Sequence, residues 1–302
     1  IAGTESTTIL KQITISKQTL ELTIDIQTRP YNGETITLNG VKANGQELGD
    51  IYTVEFYNAS SDKISAPQNA GTYTIKIVEK DAFNYTFTQN TKTFEITKRE
   101  ITQILMQESF VYNKDVPKIS FSEFKNKLPN EEVNVANYTI YDQSGNLSQG
   151  INVGKYSVVI TELTNDNYYY NKETTLTFEV KTADVEITLN NLTSTYGESL
   201  KLDQLTYQVT SGKVYPDDNL DVKAENISST YVGSHVLSAK ANNINYNVTV
   251  IDAWYIITQK SARINYGETL FTYNGYNQIS SIQPTFADVL TNDIEHFTFE
   301  LY

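Results

Sequence analysis

The chain has 302 residues, which is too long for one typical core and suits two to four domains. Its formal net charge of −13 at pH 7 repels nucleic acid and anionic membranes, so neither is expected as a partner. The absence of cysteine excludes disulfide-stapled domains, thiolate metal sites and cysteine nucleophiles. The chain starts with IAGTEST, without Met or a signal peptide, which favours a fragment of a longer, processed protein.

The first 98 residues read as a series of short strands. Each segment alternates apolar and polar residues, the period of a half-buried strand, and Gly, Asn and Asp punctuate the gaps. The segments are LELTIDIQT (20–28), ETITL (34–38), YTVEFYN (52–58), TYTIKIVE (72–79), YTFTQ (85–89) and TFEIT (93–97). Six or seven short strands in about 80 residues predict a small antiparallel β-sandwich.

Few segments further along the chain favour helix. SFSEFKNKL (120–128) and DQLTYQV (203–209) are expected to form short helical turns at most. No apolar run approaches the roughly 18 residues that a membrane-spanning helix requires, so membrane insertion is not expected.

Four sequence marks recur with a period of about 80 residues, which is typical of repeated modules. The marks are a glycine that precedes an alternating run, an Asn-Tyr pair, a tyrosine that opens a turn, and an acidic turn. They fall at Gly71, Gly154 and Gly233; at 84–85, 167–168 and 245–246; at Tyr31, Tyr112, Tyr196 and Tyr273; and at 49–50, 130–131, 217–218 and 292–293.

These marks predict three complete repeats at 12–98, 99–181 and 182–259, and a partial or degenerate fourth at 260–302. The linkers are almost absent, as in FEITKREITQIL, where one strand runs into the next. Short junctions restrict hinge freedom, so the modules are expected to stack end to end as an elongated rod.

The glycine mark predicts a local geometry that a Cβ atom would strain. The tyrosines that follow it, Tyr73 and Tyr156, are expected to point into the core with their hydroxyls at the rim. His235 takes this position in the third repeat, so another ring is tolerated there.

The Tyr-Gly or Tyr-Asn-Gly motifs, the Val/Ala-Gly-x-Tyr strands and the Asn-Tyr pairs together resemble the MBG repeat family. These are the YGX-type modules found in tandem in large bacterial surface proteins. The resemblance covers nearly the whole chain after about residue 12, with Lys114 replacing a glycine in the second repeat. It implies an extracellular spacer or adhesin segment on a bacterial surface or secreted from the cell, built from tandem Ig-like sandwiches. It supplies no catalytic site.

The most exposed-looking aromatic cluster is NDNYYYNK (165–172). Tyr168, Tyr169 and Tyr170 are the candidate residues for binding a glycan or a host protein, and core packing with a single outward ring is the alternative. Trp254, the only tryptophan, is expected in the core of the third repeat.

Candidates for chemistry are sparse. Asp217, Asp218 and Asp221 are weak candidates for calcium, because carboxylate oxygens suit this ion, although the order of an EF-hand loop is missing. Of the two histidines, His235 is interpreted as a strand residue and His296 as a surface residue. We therefore expect no enzyme and no cofactor.

Two functions stay open. The first is a non-enzymatic stalk or spacer, in which neighbouring repeats of the same chain are each other's partners. The alternative is an adhesive module that binds a glycan or host surface protein through its tyrosine-rich face.

Overall fold

The computed structural model describes residues 11–300, apart from 81–83, 172–174 and the single positions 226, 228, 268, 283 and 299. IAGTEST lies outside the described residues. Strands make up 47% of the structure and helices 4%, which confirms the all-β class and its sandwich-like character. The chain forms two compact units: unit 1 comprises 1–108, 118–147 and 156–178, and unit 2 comprises 109–117, 148–155 and 179–302. The repeat boundaries at 98, 181 and 259 stay a prediction.

The strands as far as residue 106 are β1 Gln18–Asp25, β2 Arg29–Pro30, β3 Gly40–Ala43, β4 Gln46–Glu47, β5 Tyr52–Tyr57, β6 Lys63–Ile64, β7 Gly71–Glu79, β8 Tyr85–Thr88, β9 Thr91–Thr97, β10 Arg99–Ile101 and β11 Gln103–Met106. Those from 109 to 181 are β12 Ser109–Val111, β13 Phe121–Lys125, β14 Val135–Tyr141, β15 Gly154–Leu163, β16 Tyr168–Tyr170 and β17 Leu176–Lys181.

The remaining strands are β18 Ala183–Leu189, β19 Leu192–Thr195, β20 Tyr207–Gly212, β21 Lys223–Ala224, β22 Gly233–Leu237, β23 Ala239–Lys240, β24 Tyr246–Ile251, β25 Ala253–Thr258, β26 Arg263–Asn265 and β27 Thr285–Ala287. The described 3-10 helices are Leu202–Gln204, Ile279–Ser281 and Thr291–His296.

The first part of unit 1 contains two sheets, with strand orders β4-β3-β1-β8 and β2-β9-β7-β5-β6. Alternate residues of β1 and β7 are buried, because successive side chains of a strand point to opposite faces. The buried side chains form one continuous cluster that runs through unit 1 from Leu20 to Tyr170. Ile75 and Ile77 at its centre are fully buried.

Unit 2 repeats this arrangement with fewer strands. β18 lies between β20 and β24, and β25 lies between β19 and β22. Ile187, Leu237 and Tyr255 are fully buried.

The sequence had led us to expect antiparallel strand pairs throughout, but several pairs in the structure are parallel. In each of the three complete predicted repeats, the opening strand pairs in parallel with the strand that begins at the tyrosine of the Asn-Tyr pair, as β1–β8, β10–β16 and β18–β24. The short strand before each of the first three tyrosine marks likewise pairs in parallel with a later strand, as β2–β9, β12–β17 and β19–β25. The long connections make this possible, because a parallel pair needs a crossover of a dozen or more residues.

The glycine marks share one unusual backbone conformation. Gly71, Gly154 and Gly233 have φ of 157°, 158° and 145°. This region is almost closed to residues with a side chain, which explains why glycine recurs there.

The ring two residues after this glycine folds back over it. Tyr73 Oη donates to the carbonyl oxygen of Asn69 at 3.0 Å, and Nε2 of His235 lies 2.7 Å from the carbonyl oxygen of Tyr231. Tyr156 is buried and Tyr73 is half-buried, so the predicted inward orientation is confirmed.

Four local predictions have mixed outcomes. ETITL (34–38) is wrong as a strand, although Ile36 is buried. SFSEFKNKL (120–128) is wrong as a helical turn, because β13 occupies it, whereas DQLTYQV contains the end of a 3-10 turn. Trp254 is 50% exposed and not in the core, because the alternation of β25 turns its neighbours Ala253 and Tyr255 inward.

Candidate functional site

Two tyrosines and one carboxylate form a cluster in unit 1, which we call cluster A. Tyr31 Oη donates to Glu131 Oε1 and Tyr168 Oη donates to Glu131 Oε2, both at 2.5 Å. The two rings meet edge to face, with centroids 5.7 Å apart. Tyr168 Oη also accepts from the backbone N–H of Leu128 at 3.0 Å. A tyrosine mark, an acidic turn and an Asn-Tyr pair, far apart in sequence, therefore converge on one carboxylate.

The same constellation occurs in unit 2, as cluster B. Tyr112 Oη and Tyr246 Oη donate to Asp218 Oδ2 at 2.8 and 2.6 Å. The ring centroids of the two tyrosines lie 5.4 Å apart, again edge to face. Tyr246 Oη accepts from the backbone N–H of Tyr215 at 2.9 Å. Every contact of cluster A thus has a counterpart here.

The backbone positions the first tyrosine of each cluster in the same way. The N–H of Tyr31 donates to Thr97 O, and the N–H of Tyr112 donates to Lys181 O, both at 2.8 Å. These bonds extend the parallel pairs β2–β9 and β12–β17 by one residue. An asparagine side chain then closes the turn, since Asn32 Oδ1 accepts from the N–H two residues on at 3.0 Å.

A second contact lies beside each cluster and uses the asparagine of the Asn-Tyr pair. Asn167 Oδ1 accepts from the N–H of Ala70 at 2.8 Å, next to Gly71. Asn245 Oδ1 accepts from the N–H of Val153 at 3.0 Å, next to Gly154. We call these contacts the asparagine links.

A reduced version of the cluster occurs near residue 293. Tyr196 Oη donates to Asp293 Oδ1 at 3.3 Å. A Cβ atom at Gly197 would lie 2.6 Å from Leu290, so glycine permits the close approach of these two turns. This pair lies in unit 2 and is more exposed than clusters A and B.

In clusters A and B, burial and the hydrogen bond to the shared carboxylate hold the pKa values of the tyrosines above their usual range. Burial, followed by the hydrogen bond to Glu131, raises the pKa of Tyr31 to about 12. Burial and the bond to Asp218 raise the pKa of Tyr112 to about 12 and also raise that of Tyr246. Burial opposes the charge of Asp218, but the bonds from Tyr246, Tyr112 and Lys114 outweigh it and lower the pKa of this carboxyl. At neutral pH each tyrosine can therefore donate.

The predicted calcium ligands do not come together. Asp218 lies in cluster B, the side chain of Asp217 is 94% exposed, and Asp221 forms an ion pair with Lys223 at 3.1 Å. In the described part of the chain, no group of three or more His, Cys, Asp or Glu side chains is arranged to hold a metal ion. The local role of Asp218 is to accept hydrogen bonds from tyrosines.

The structure separates the three candidate binding tyrosines. Tyr168 and Tyr170 are 2% and 8% exposed, whereas Tyr169 is 43% exposed. The alternation of β16 explains this pattern, which agrees with the alternative of two inward rings and one outward ring. Tyr169 borders an open groove of about 500 Å³ that Lys98, Glu162 and Asp166 also line.

The two histidines lie outside clusters A and B. His235 is half-buried on β22 and contacts a backbone carbonyl, while His296 is exposed beside Glu295. Among the residues described, no helix is long and apolar enough to cross a membrane.

Neither protein-family models nor curated proteins give a match to this chain. The repeated geometry within the molecule is therefore the principal guide to its function.

Clusters A and B were missed by sequence reasoning, which treated the acidic turns as local turn chemistry. A usable signal was present, because the tyrosine marks, acidic turns and Asn-Tyr pairs recur together. What the spacing did not reveal is that Tyr31 and Tyr112 each bond to the acidic turn of the following predicted repeat, about 100 residues away.

Proposed function

We propose that the chain is a non-enzymatic stalk or spacer segment of a large bacterial surface protein or adhesin. In this proposal, tandem Ig-like repeats of about 80 residues stack as a rod outside the cell. The observation that carries it is the recurrence of one contact set, clusters A and B, at the first two predicted junctions.

A junction of this kind resists bending for a physical reason. Each combines a buried tyrosine–carboxylate cluster with an asparagine link, so two separate points join the predicted neighbours. Bending would separate Tyr31 from Glu131 at the first junction or Tyr112 from Asp218 at the second, and a buried hydroxyl without its acceptor costs about 1–3 kcal/mol. The short connections add a further restriction.

The non-enzymatic part of the proposal rests on how the titratable groups are used. The carboxylates of Glu131 and Asp218 each accept two tyrosine hydroxyls. Carboxylates that are held in this way stabilise the contact between the segments, whereas a general base needs an accessible lone pair near its substrate. The bacterial and extracellular parts rest on the resemblance of the sequence marks to the MBG repeats.

Small-angle X-ray scattering of the whole chain tests the stalk. We expect the profile of an elongated particle, with a cross-section as narrow as one module. Asp218→Ala should broaden the distribution of end-to-end distances, because it opens cluster B, while Asp217→Ala serves as the matched control. A compact profile for the wild-type chain would refute the proposal.

A further inference from the structure

The grooves around Asp166 have features that the stalk does not use. The groove beside Tyr169, of about 500 Å³, shares Asp166 with a second open cavity of about 650 Å³. Asn69, Glu132 and Asn165 line the second cavity. Both lie within unit 1, so Asp166 borders two cavities of ligand size.

Several polar groups along these cavities are available to a ligand. Lys98, Glu132, Asp166 and Tyr169 are exposed, and their side chains make no hydrogen bond or ion pair with the residues that the structure describes. In contrast, Asn167 in the second cavity is already engaged in an asparagine link. The available set therefore combines two carboxylates, one ammonium group and one phenol ring.

This combination suits a neutral sugar better than other ligands. Carboxylates accept and an ammonium donates hydrogen bonds, and both suit the hydroxyls of a carbohydrate, because each hydroxyl is a donor and an acceptor. The outward face of Tyr169 offers an apolar surface with a polar tip, against which a sugar ring can pack. The excess of carboxylates, which Glu162 increases, disfavours acidic glycans.

A protein partner is less favoured by the same observations. Tight protein interfaces depend on anchors that fill well-packed, desolvated pockets. Both cavities here are open, and the larger one is lined mostly by amides and carboxylates.

We propose that the two cavities joined at Asp166 form a binding site for a neutral oligosaccharide, with one sugar packed on Tyr169 and the chain continuing past Asp166 towards Glu132. This site does not depend on the stalk, since a rigid or a flexible chain would present it equally.

Calorimetric titration of the whole chain with short neutral oligosaccharides of glucose, galactose, mannose and N-acetylglucosamine tests the proposal. We expect saturable binding to at least one series, and affinity that rises with chain length until both cavities are filled. Tyr169→Ala should weaken binding about tenfold or more, and Tyr231→Ala, which removes a 73% exposed ring in unit 2, should leave it unchanged.

Glu132→Gln tests the second cavity independently of the groove beside Tyr169, because Glu132 lines only the second cavity. This variant should remove the gain in affinity that longer oligosaccharides show. The affinity for the shortest oligosaccharides should stay unchanged. Circular dichroism establishes that each variant is folded. The proposal is overturned if the folded wild-type chain binds no neutral oligosaccharide at millimolar concentration, if it binds only charged glycans or peptides, or if Tyr169→Ala binds as well as wild type.

Discussion

Clusters A and B share their tyrosines and carboxylate but differ at the third position of the Tyr-Asn-x turn. Cluster A has Gly33 there, with φ of +77°, and a Cβ atom would lie 2.9 Å from Leu128. Cluster B has Lys114, which keeps a positive φ of +67° despite its side chain. Its ammonium group lies 3.2 Å from Asp218 Oδ1 and also donates to the carbonyl of Pro216.

The difference shows which parts of the constellation are fixed and which adapt. The backbone N–H of Leu128 in cluster A and of Tyr215 in cluster B donates to the second tyrosine, so the turn is the same while its side chain varies. In cluster A a leucine fills the space above a glycine. In cluster B the third position instead supplies a cation to the acid, which compensates for the strained backbone.

The largest expected effect comes from removing the shared carboxylate. Asp218→Ala leaves the hydroxyls of Tyr112 and Tyr246 without their acceptor and should lower the free energy of unfolding by about 3 kcal/mol. Urea denaturation measures this loss. Glu131→Ala should give a loss of similar size if the clusters are equivalent.

The matched control is Asp217→Ala, which removes the adjacent, 94% exposed carboxylate. Because Asp217 has a positive φ of 63°, alanine adds some backbone strain there, and we expect a loss of at most about 1 kcal/mol, well below that of Asp218→Ala. Equal losses for Asp217→Ala and Asp218→Ala would contradict the assignment of cluster B.

The next effect should follow from pH. The pKa of Tyr112 is raised to about 12 in the folded chain, while unfolded tyrosine ionises near pH 10. The protonated Tyr112 hydroxyl therefore makes its full contribution to the free energy of unfolding below pH 10. This contribution, about 2 kcal/mol, is lost as the pH rises towards 12. Unfolding free energies measured from pH 8 to 12 should fall less steeply in Tyr112→Phe, and Tyr231→Phe should match wild type. An unchanged slope in Tyr112→Phe would count against a raised pKa.

A smaller effect tests the third position in cluster A. Gly33→Ala combines a positive φ with a close contact to Leu128, so we expect a loss of about 1–2 kcal/mol in the free energy of unfolding. Gly45→Ala isolates the conformational part, because its φ of +81° is similar and no atom lies within 4 Å of the added Cβ. If thermal denaturation shows equal losses of stability for both variants, the close contact with Leu128 does not contribute to the loss in Gly33→Ala.

The smallest effect should come from the cation in cluster B. Lys114→Met keeps the backbone strain but removes an ion pair that is partly exposed, so we expect a loss below about 1 kcal/mol. High salt should reduce the difference from wild type, because it screens the pair. A loss as large as that of Asp218→Ala would mean that Lys114, not the tyrosines, holds the carboxylate.

Much of the fold could be predicted from the sequence because it depends on local rules. The alternation of apolar and polar residues predicted β1, β5, β7, β8 and β9. The recurring glycine indicated a backbone conformation that other residues rarely adopt. Trp254 was misplaced because residue type was given more weight than alternation, which had placed its neighbours Ala253 and Tyr255 inward.

The candidate site was harder to predict, because its contacts are not local. Tyr31 and Glu131 are 100 residues apart, and Tyr112 and Asp218 are 106 apart. The turn that holds each tyrosine also gave no sign of a distant contact. Asn32 and Asn113 close these turns with local hydrogen bonds to the N–H two residues on. Only the three-dimensional structure shows which residues share a carboxylate.

The parallel pairs β1–β8 and β2–β9 have a mechanical consequence. Their opening strands lie beside strands at the end of the same segment and run in the same direction. A force that pulls Gln18 and Thr97 apart therefore slides these strands along each other and loads all of their hydrogen bonds together. An antiparallel hairpin pulled at its open end would instead separate one bond at a time, so this connectivity resists a force applied between Gln18 and Thr97 better than a hairpin would.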